Sequence, residues 1–220
     1  MSGVTLVGGN RNYSSWSLRP WILLRHLGLE FADVQLPLDT PQFHAEIERW
    51  SPARKVPVLV DGDLRDWESI AIVEYLNEKS GGRAWPEDFA ARAHARAIAA
   101  EMHAGFQAPR SAYPMNVRAR DRRVRLTPEL AAAIARIDAI WTDCRRRYGA
   151  LGPWLFGAYS AADAMYAPVA FRFRTYGTQG LGAESIAHVD TVVQDPLLQP
   201  WLAAAEAEPE RIEHEEVGLA

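Results

Sequence analysis

Cysteine occurs once in the 220 residues, at position 144. A single thiol excludes an internal disulfide framework, a multi-cysteine zinc site and any CxxC redox pair. No apolar run approaches the roughly 18 residues needed to cross a bilayer, so no membrane partner is expected. Positive charge is not in excess either. The 24 lysines and arginines against 28 acidic residues leave a net charge of −4, which argues against a general nucleic-acid or anionic-membrane binder. The six histidines show no ligand spacing, so no metal is expected. P-loop, HExxH, GxSxG and GxGxxG fingerprints are missing, and Gly177, Gly180 and Gly182 have the spacing of a loop. The start, Met1 to Asn10, is too short and uncharged for a signal peptide, which makes the cytoplasm the expected location.

Alanine is scarce at first and then abundant. Of 35 alanines, 5 fall in residues 1–88 and 30 in residues 89–220. Alanine is the best helix former and is depleted in strands, so the first part can be mixed while the second is nearly all helix. Between them, Ser80 to Asp88 (SGGRAWPED) carries two glycines and a proline, which is linker chemistry. The expected organisation is a domain at residues 1–80, a linker at 81–88 and a helical domain at 89–220.

The first part alternates strand and helix patterns. Val4–Val7 is a short apolar run closed by Gly8-Gly9, a buried strand. Leu18 to Leu27 has helical spacing, with Gly28 as its C-cap and Pro20 in its first turn. Phe31 to Leu38 reads as a second strand and Gln42–Trp50 as a short amphipathic helix. Val56–Val60 and Leu64–Asp66, joined by Asp61-Gly62, form a hairpin. Ser69 to Lys79 closes the domain as a helix with Ile70, Val73, Tyr75 and Leu76 available to face the sheet. In the second part, Phe89–Gly105 is an alanine-rich helix, and Thr127-Pro128 caps another that runs to about Tyr148. Ser160 with Asp163 makes a further N-cap, and Pro196 to Glu206 adds a last helix.

Three places carry chemistry, and each has a plain structural alternative. Ser14, Ser15 and Ser17 sit at a helix start, where unpaired N–H groups and the dipole favour an anion and hold a thiolate at depressed pKa. The same serines serve as ordinary N-caps. Val56-Pro57 opens a strand, where proline implies an edge or a cis bend. The backbone of Val56 is then available to an extended peptide, although a structural proline reads the same. Glu68-Ser69 begins the closing helix. Its hydroxyl and N–H groups suit a carboxylate and its acid suits an ammonium, the two ends of an amino acid; a helix cap is again the alternative.

Together these positions resemble a known family. The pattern S-S-x-S-x-R from Ser14, S-P-x-x-K-V-P-V-L at 51–59 and D-G-x-L-x-x-W-E-S-I-A-I-x-E-Y-L at 61–76 is similar to the glutathione transferases. Ser160-Ala161-Ala162-Asp163 matches the N-cap that this family carries in its helical domain. The tandem Ser14-Ser15 is most similar to the zeta class and related bacterial serine-type members. The resemblance implies a thioredoxin-like N-terminal domain (βαβ-αββα) followed by an all-helical C-terminal domain, usually in a cytoplasmic homodimer, with glutathione as co-substrate.

Carried over residue by residue, the resemblance makes Ser14 the hydrogen-bond donor to the glutathione thiolate and Ser15 its substitute. Trp16 stands beside the thiol. Val56 becomes the backbone partner of the cysteinyl unit, ahead of the cis-proline Pro57. Glu68 and Ser69 form the γ-glutamyl clasp, and Gln42 and Lys55 reach the glycyl carboxylate. Zeta members have S-S-C where this chain has Ser14-Ser15-Trp16, which weakens the case for maleylacetoacetate isomerisation. Gln107, Arg110, Ser111 and Tyr113, across the cleft, are the expected contacts of the second substrate. Arg118 to Arg125 reads as a solvated loop, and Cys144 as a packing residue. The implied activity is transfer of glutathione to a small hydrophobic electrophile, a detoxification reaction. A glutathione-dependent cis–trans isomerase, a dehalogenase or lyase, and a non-catalytic interaction module remain open.

Overall fold

A computed structural model describes residues 3–218. Strand β1 (Val4–Gly8) leads into helix α1 (Ser15–Leu27), followed by β2 (Phe31–Gln35) and α2 (Pro41–Trp50). The hairpin β3 (Val58–Asp61) and β4 (Leu64–Trp67) and helix α3 (Ser69–Lys79) complete a βαβ-αββα unit. The strands lie in the order β2-β1-β3-β4; β1 is parallel to β2, and the two other pairings are antiparallel. Successive strand residues face opposite sides of a sheet, and the two sides here have different cover. Leu6 and Leu59 join the core built with α1 and α3, whereas Val7 and Val58 pack with Phe43 and Ile47 of α2. Helices on both faces explain why β1 and β3 read as continuous apolar runs.

The rest of the chain is helical: α4 (Phe89–Ala104), α5 (Gln107–Ala112), α6 (Pro128–Tyr148), α7 (Ala161–Tyr176), α8 (Ala183–Val193) and α9 (Gln199–Ala207). Helix α7 is the axis of this part and packs against α1, α4 and α8. Its alanines at 161, 162, 164, 167 and 170 are all buried, and small side chains let the neighbouring helices approach closely. A capping box starts it. Both Leu155 N and Ser160 N donate to the Asp163 carboxylate at 2.9 Å, and burial pushes that carboxyl up to about 6. Among the described residues, no helix is long and apolar enough to cross a membrane.

Several local readings need correction. Helix α1 starts at Ser15, not Leu18, so Pro20 lies inside the helix rather than in its first turn. The rung lost to its missing N–H is tolerated because α1 is packed along most of its length. Strand β3 starts at Val58, and the cis-linked Val56-Pro57 precedes the ladder. In α3 the buried apolar residues are Ile72, Val73 and Leu76; Ile70 and Tyr75 pack against the same core but are half-buried at its rim. A 3₁₀ turn at Pro196–Leu198 precedes α9, and α8 lies between the glycine loop and that turn.

Candidate functional site

Ser14 is the N-cap residue of α1, yet its side chain makes no capping bond. Its buried Oγ lies 2.7 Å from Ser17 Oγ, which accepts the Gly9 N–H at 3.0 Å. Gly9, Ser17 and Ser14 thus form a short hydrogen-bond chain ending at a cavity of about 370 Å³. Ser14, Ser15, Trp16, Lys55 and Val56 line that cavity, with Leu38, Phe43 and Met115 as its apolar wall. The first turn of α1 aims unpaired N–H groups and the positive end of the dipole at the same space.

A second cavity, about 150 Å³, adjoins the first and shares Trp16, Lys55 and Val56 with it. Ala53, Pro57, Trp67, Glu68 and Ser69 complete its lining. Ser69 is fully buried at the first turn of α3, and its hydroxyl has no hydrogen-bond partner among the described residues. An unpaired buried hydroxyl is costly, and here it lines a space that could hold an acceptor. Glu68 precedes it with φ of 74°, a conformation rare for a residue with a side chain. Its exposed carboxylate lies 3.7 Å from His103 of α4.

The expected contacts divide sharply. Gln42 is exposed, donates to Glu46 at 2.8 Å and lines neither cavity. Gln107 and Ser111 are exposed and bonded to each other at 3.2 Å, one turn apart on α5. Tyr113 is buried and stacked on Tyr176 with ring centres 4.7 Å apart. These three lie outside both cavities because a helix has one inward face, and on α5 Arg110 occupies it. Arg110 also lies over the Trp16 ring at 4.5 Å, and Arg19 lies over the same ring at 4.1 Å.

Arg172 and Glu215, 62 and 105 residues beyond Arg110 in the chain, also line the larger cavity, as do Arg54 and Asp39. No sequence motif flags Arg172, which lies on α7. Ser17 stands with Ser14 and Ser15 at the helix start but carries no separate role in the sequence; its i, i+3 relation to Ser14 is the signal for one. The C-terminal segment supplies further contacts. Tyr13 donates to Glu216 at 2.7 Å and accepts from Arg118 at 3.1 Å. Burial, and then the bond to Glu216, raises its pKa. The Arg118–Arg125 run is accordingly not a uniformly solvated loop. Arg118 grips the carbonyls of Glu208 and Glu210, Arg120 those of Val117 and Ala119, and Arg122 pairs with Glu216 at 2.9 Å. Cys144 is fully buried, and burial pushes its thiol up to about 12, so it packs rather than reacts.

Comparison with known proteins matches residues 13–79 to the family model described as "Glutathione S-transferase, N-terminal domain". Residues 127–204 match "Glutathione S-transferase, C-terminal domain", and the two stretches together take in more than half of the chain. A probable maleylacetoacetate isomerase of Vibrio cholerae is 34% identical over 106 residues, covering 47% of this chain and 49% of that protein. A dichloromethane dehalogenase of Methylophilus leisingeri is 47% identical over 51 residues, covering 23% of this chain and 18% of that protein. The chain thus spans about half the length of the first relative and under a fifth of the second. Among solved structures, a glutathione transferase homolog from Burkholderia with bound glutathione superposes with a TM-score of 0.68 at 21% identity, covering 94% of this chain and 100% of that one.

Proposed function

The chain belongs to the glutathione S-transferase family, and from that premise we propose that it activates glutathione and transfers its sulfur to a small electrophile. One observation carries the reading. Two adjoining cavities have the hydroxyl of Ser14 at one end and the unpaired hydroxyl of Ser69 at the other, with the backbone of Val56 between. That arrangement suits an extended tripeptide with a thiol in its middle. Ser17 donates to Ser14, and Ser14 in turn donates to the sulfur. The α1 dipole adds to the stabilisation of the thiolate. Such a charged hydrogen bond is worth about 1.5–3 kcal/mol, which lowers a thiol pKa by about one to two units. Ser69 and the N–H groups of α3 take the γ-glutamyl carboxylate, and Glu68 takes the ammonium. Residues 1–80 therefore serve glutathione and residues 89–220 the second substrate, joined by 81–88. The proposal includes a cytoplasmic homodimer, which sedimentation of the pure protein tests.

A second reading, isomerisation of an acidic cis-alkene by reversible thiolate addition, is favoured by the cavity wall. Arg110 and Arg172 face the space beside Ser14, and neither makes an ion pair among the described residues. Two guanidiniums at one wall suit a substrate carboxylate better than a wholly apolar electrophile. Calorimetric titration with glutathione, followed by aryl halide, dihalomethane and maleyl acid substrates, separates the readings. Transfer consumes glutathione; isomerisation turns substrate over without consuming it. Absence of glutathione binding overturns both and leaves the interaction module.

A further inference from the structure

Beside the cleft, Arg19 of α1, Arg110 of α5 and Arg172 of α7 converge on a small pocket of about 10 Å³ that adjoins the larger cavity through Arg110 and Arg172. Its other walls are apolar, including Met102, Ile137 and Val169. Arg19 is 1% exposed, and its Nε and Nη1 have no hydrogen-bond partner among the described residues. Arg172, 6% exposed, donates to the carbonyls of Arg110 and Tyr113, and Arg110 to those of Gly105 and Met102. None of the three takes part in an ion pair among the described residues. Glu215 faces Arg172 from the cleft side but lies beyond ion-pair distance.

A guanidinium does not give up its proton in a protein, and a buried charge without a counter-charge is expensive. Tyr166, the acidic group whose field reaches Arg19, is a phenol whose own burial drives its pKa far up, so it supplies no negative charge. The Trp16 ring beneath Arg19 and Arg110 offers only partial compensation. Burial and mutual repulsion accordingly hold the Arg19 pKa well below its usual value and bring Arg172 down to about 10. Carbonyl dipoles satisfy donors but cancel little net charge. The pocket needs an anion, and its lining decides which kind. Apart from the three arginines its walls are apolar, which suits a compact monatomic anion better than a carboxylate or a sulfate that needs a donor on each oxygen.

We propose that Arg19, Arg110 and Arg172 form a binding site for a single halide ion, chloride in the cell. The mixed lining of guanidinium donors and apolar side chains suits a weakly hydrated monovalent anion. Occupancy holds in place the two guanidiniums that lie over Trp16, the ring shared by both cleft cavities, so the halide stiffens the cleft wall. The site does not depend on the glutathione reading.

Two measurements on the unmodified protein test it, with one variant in support. Crystals soaked in bromide should show an anomalous peak among the three guanidiniums. In thermal unfolding at constant ionic strength, replacing gluconate by chloride or bromide should raise the melting temperature saturably, and Arg19→Met should remove that saturable shift. Absence of bromide at the three guanidiniums overturns the site. So does a melting temperature that follows ionic strength equally in all three salts, whether or not the variant folds.

Discussion

Ser14 Oγ and Ser17 Oγ lie 2.7 Å apart inside the first turn of α1, and Ser17 is itself held by the N–H of Gly9. The second hydroxyl thereby orients the first. Ser14→Ala should raise the thiol pKa of bound glutathione by about one to two units and slow transfer at neutral pH by roughly 10–100-fold, with glutathione still bound. Ser17→Ala, which removes only a neutral bond, should raise that pKa by about half a unit to one unit. Thiolate absorbance followed against pH reads both, and an unshifted Ser14→Ala titration would move the role to Ser15.

Tyr13 stands next to Ser14 but is already committed to Glu216 and Arg118. Tyr13→Phe should leave the thiol pKa unchanged and cost about 1–2 kcal/mol of stability through the lost charged hydrogen bond. Urea unfolding and the pH profile of transfer check the two halves separately. A raised thiol pKa in this variant contradicts the assignment.

The unpaired hydroxyl of Ser69 makes an unusual prediction. Ser69→Ala should change the stability of the ligand-free protein by less than about 0.5 kcal/mol, because no bond is lost. Its glutathione dissociation constant should nevertheless rise about tenfold, the equivalent of one hydrogen bond. Glu68→Ala should weaken binding in the same calorimetric assay. Unaltered dissociation constants in both variants would remove the γ-glutamyl clasp.

His188 sits in α8 against Trp141, ring centres 4.8 Å apart, with neither ring nitrogen hydrogen-bonded among the described residues. Burial lowers its pKa from 6.5 to about 3. The unfolded chain therefore takes up the proton first, so the contribution of the neutral ring is complete above pH 6.5 and is lost as the pH falls toward 3. One pH unit corresponds to about 1.4 kcal/mol, so acidification from about pH 6.5 to 5 should cost about 2 kcal/mol. His188→Phe should flatten that acid limb in urea denaturation; parallel curves for the two proteins would rule the explanation out.

The features legible in the sequence are those that local chemistry governs. Thr127-Pro128 starts α6, and Ser160 with Asp163 starts α7, because caps act within one turn of their own backbone. Ser69 to Lys79 is a helix from the periodicity alone. The three serines, Val56-Pro57 and Glu68-Ser69 were visible because each lies at an element boundary, where exposed backbone groups and special residue types coincide.

What only the tertiary structure decided is which side chains meet. Among Gln107, Arg110, Ser111 and Tyr113, the residue types do not reveal which one α5 turns to the cleft; the packing of α5 selects Arg110 alone. Arg19, Arg110 and Arg172 are 91 and 62 residues apart in succession, and no periodicity links three separate helices. Glu216 reaches Tyr13 across 203 residues, a contact that no sequence spacing announces. Sequence spacing determined where helices begin and which ends could bind an anion, since those are short-range properties of the backbone. Burial and charge balance belong to the assembled interior, and only the fold could bring together three guanidiniums that make no ion pair among the described residues.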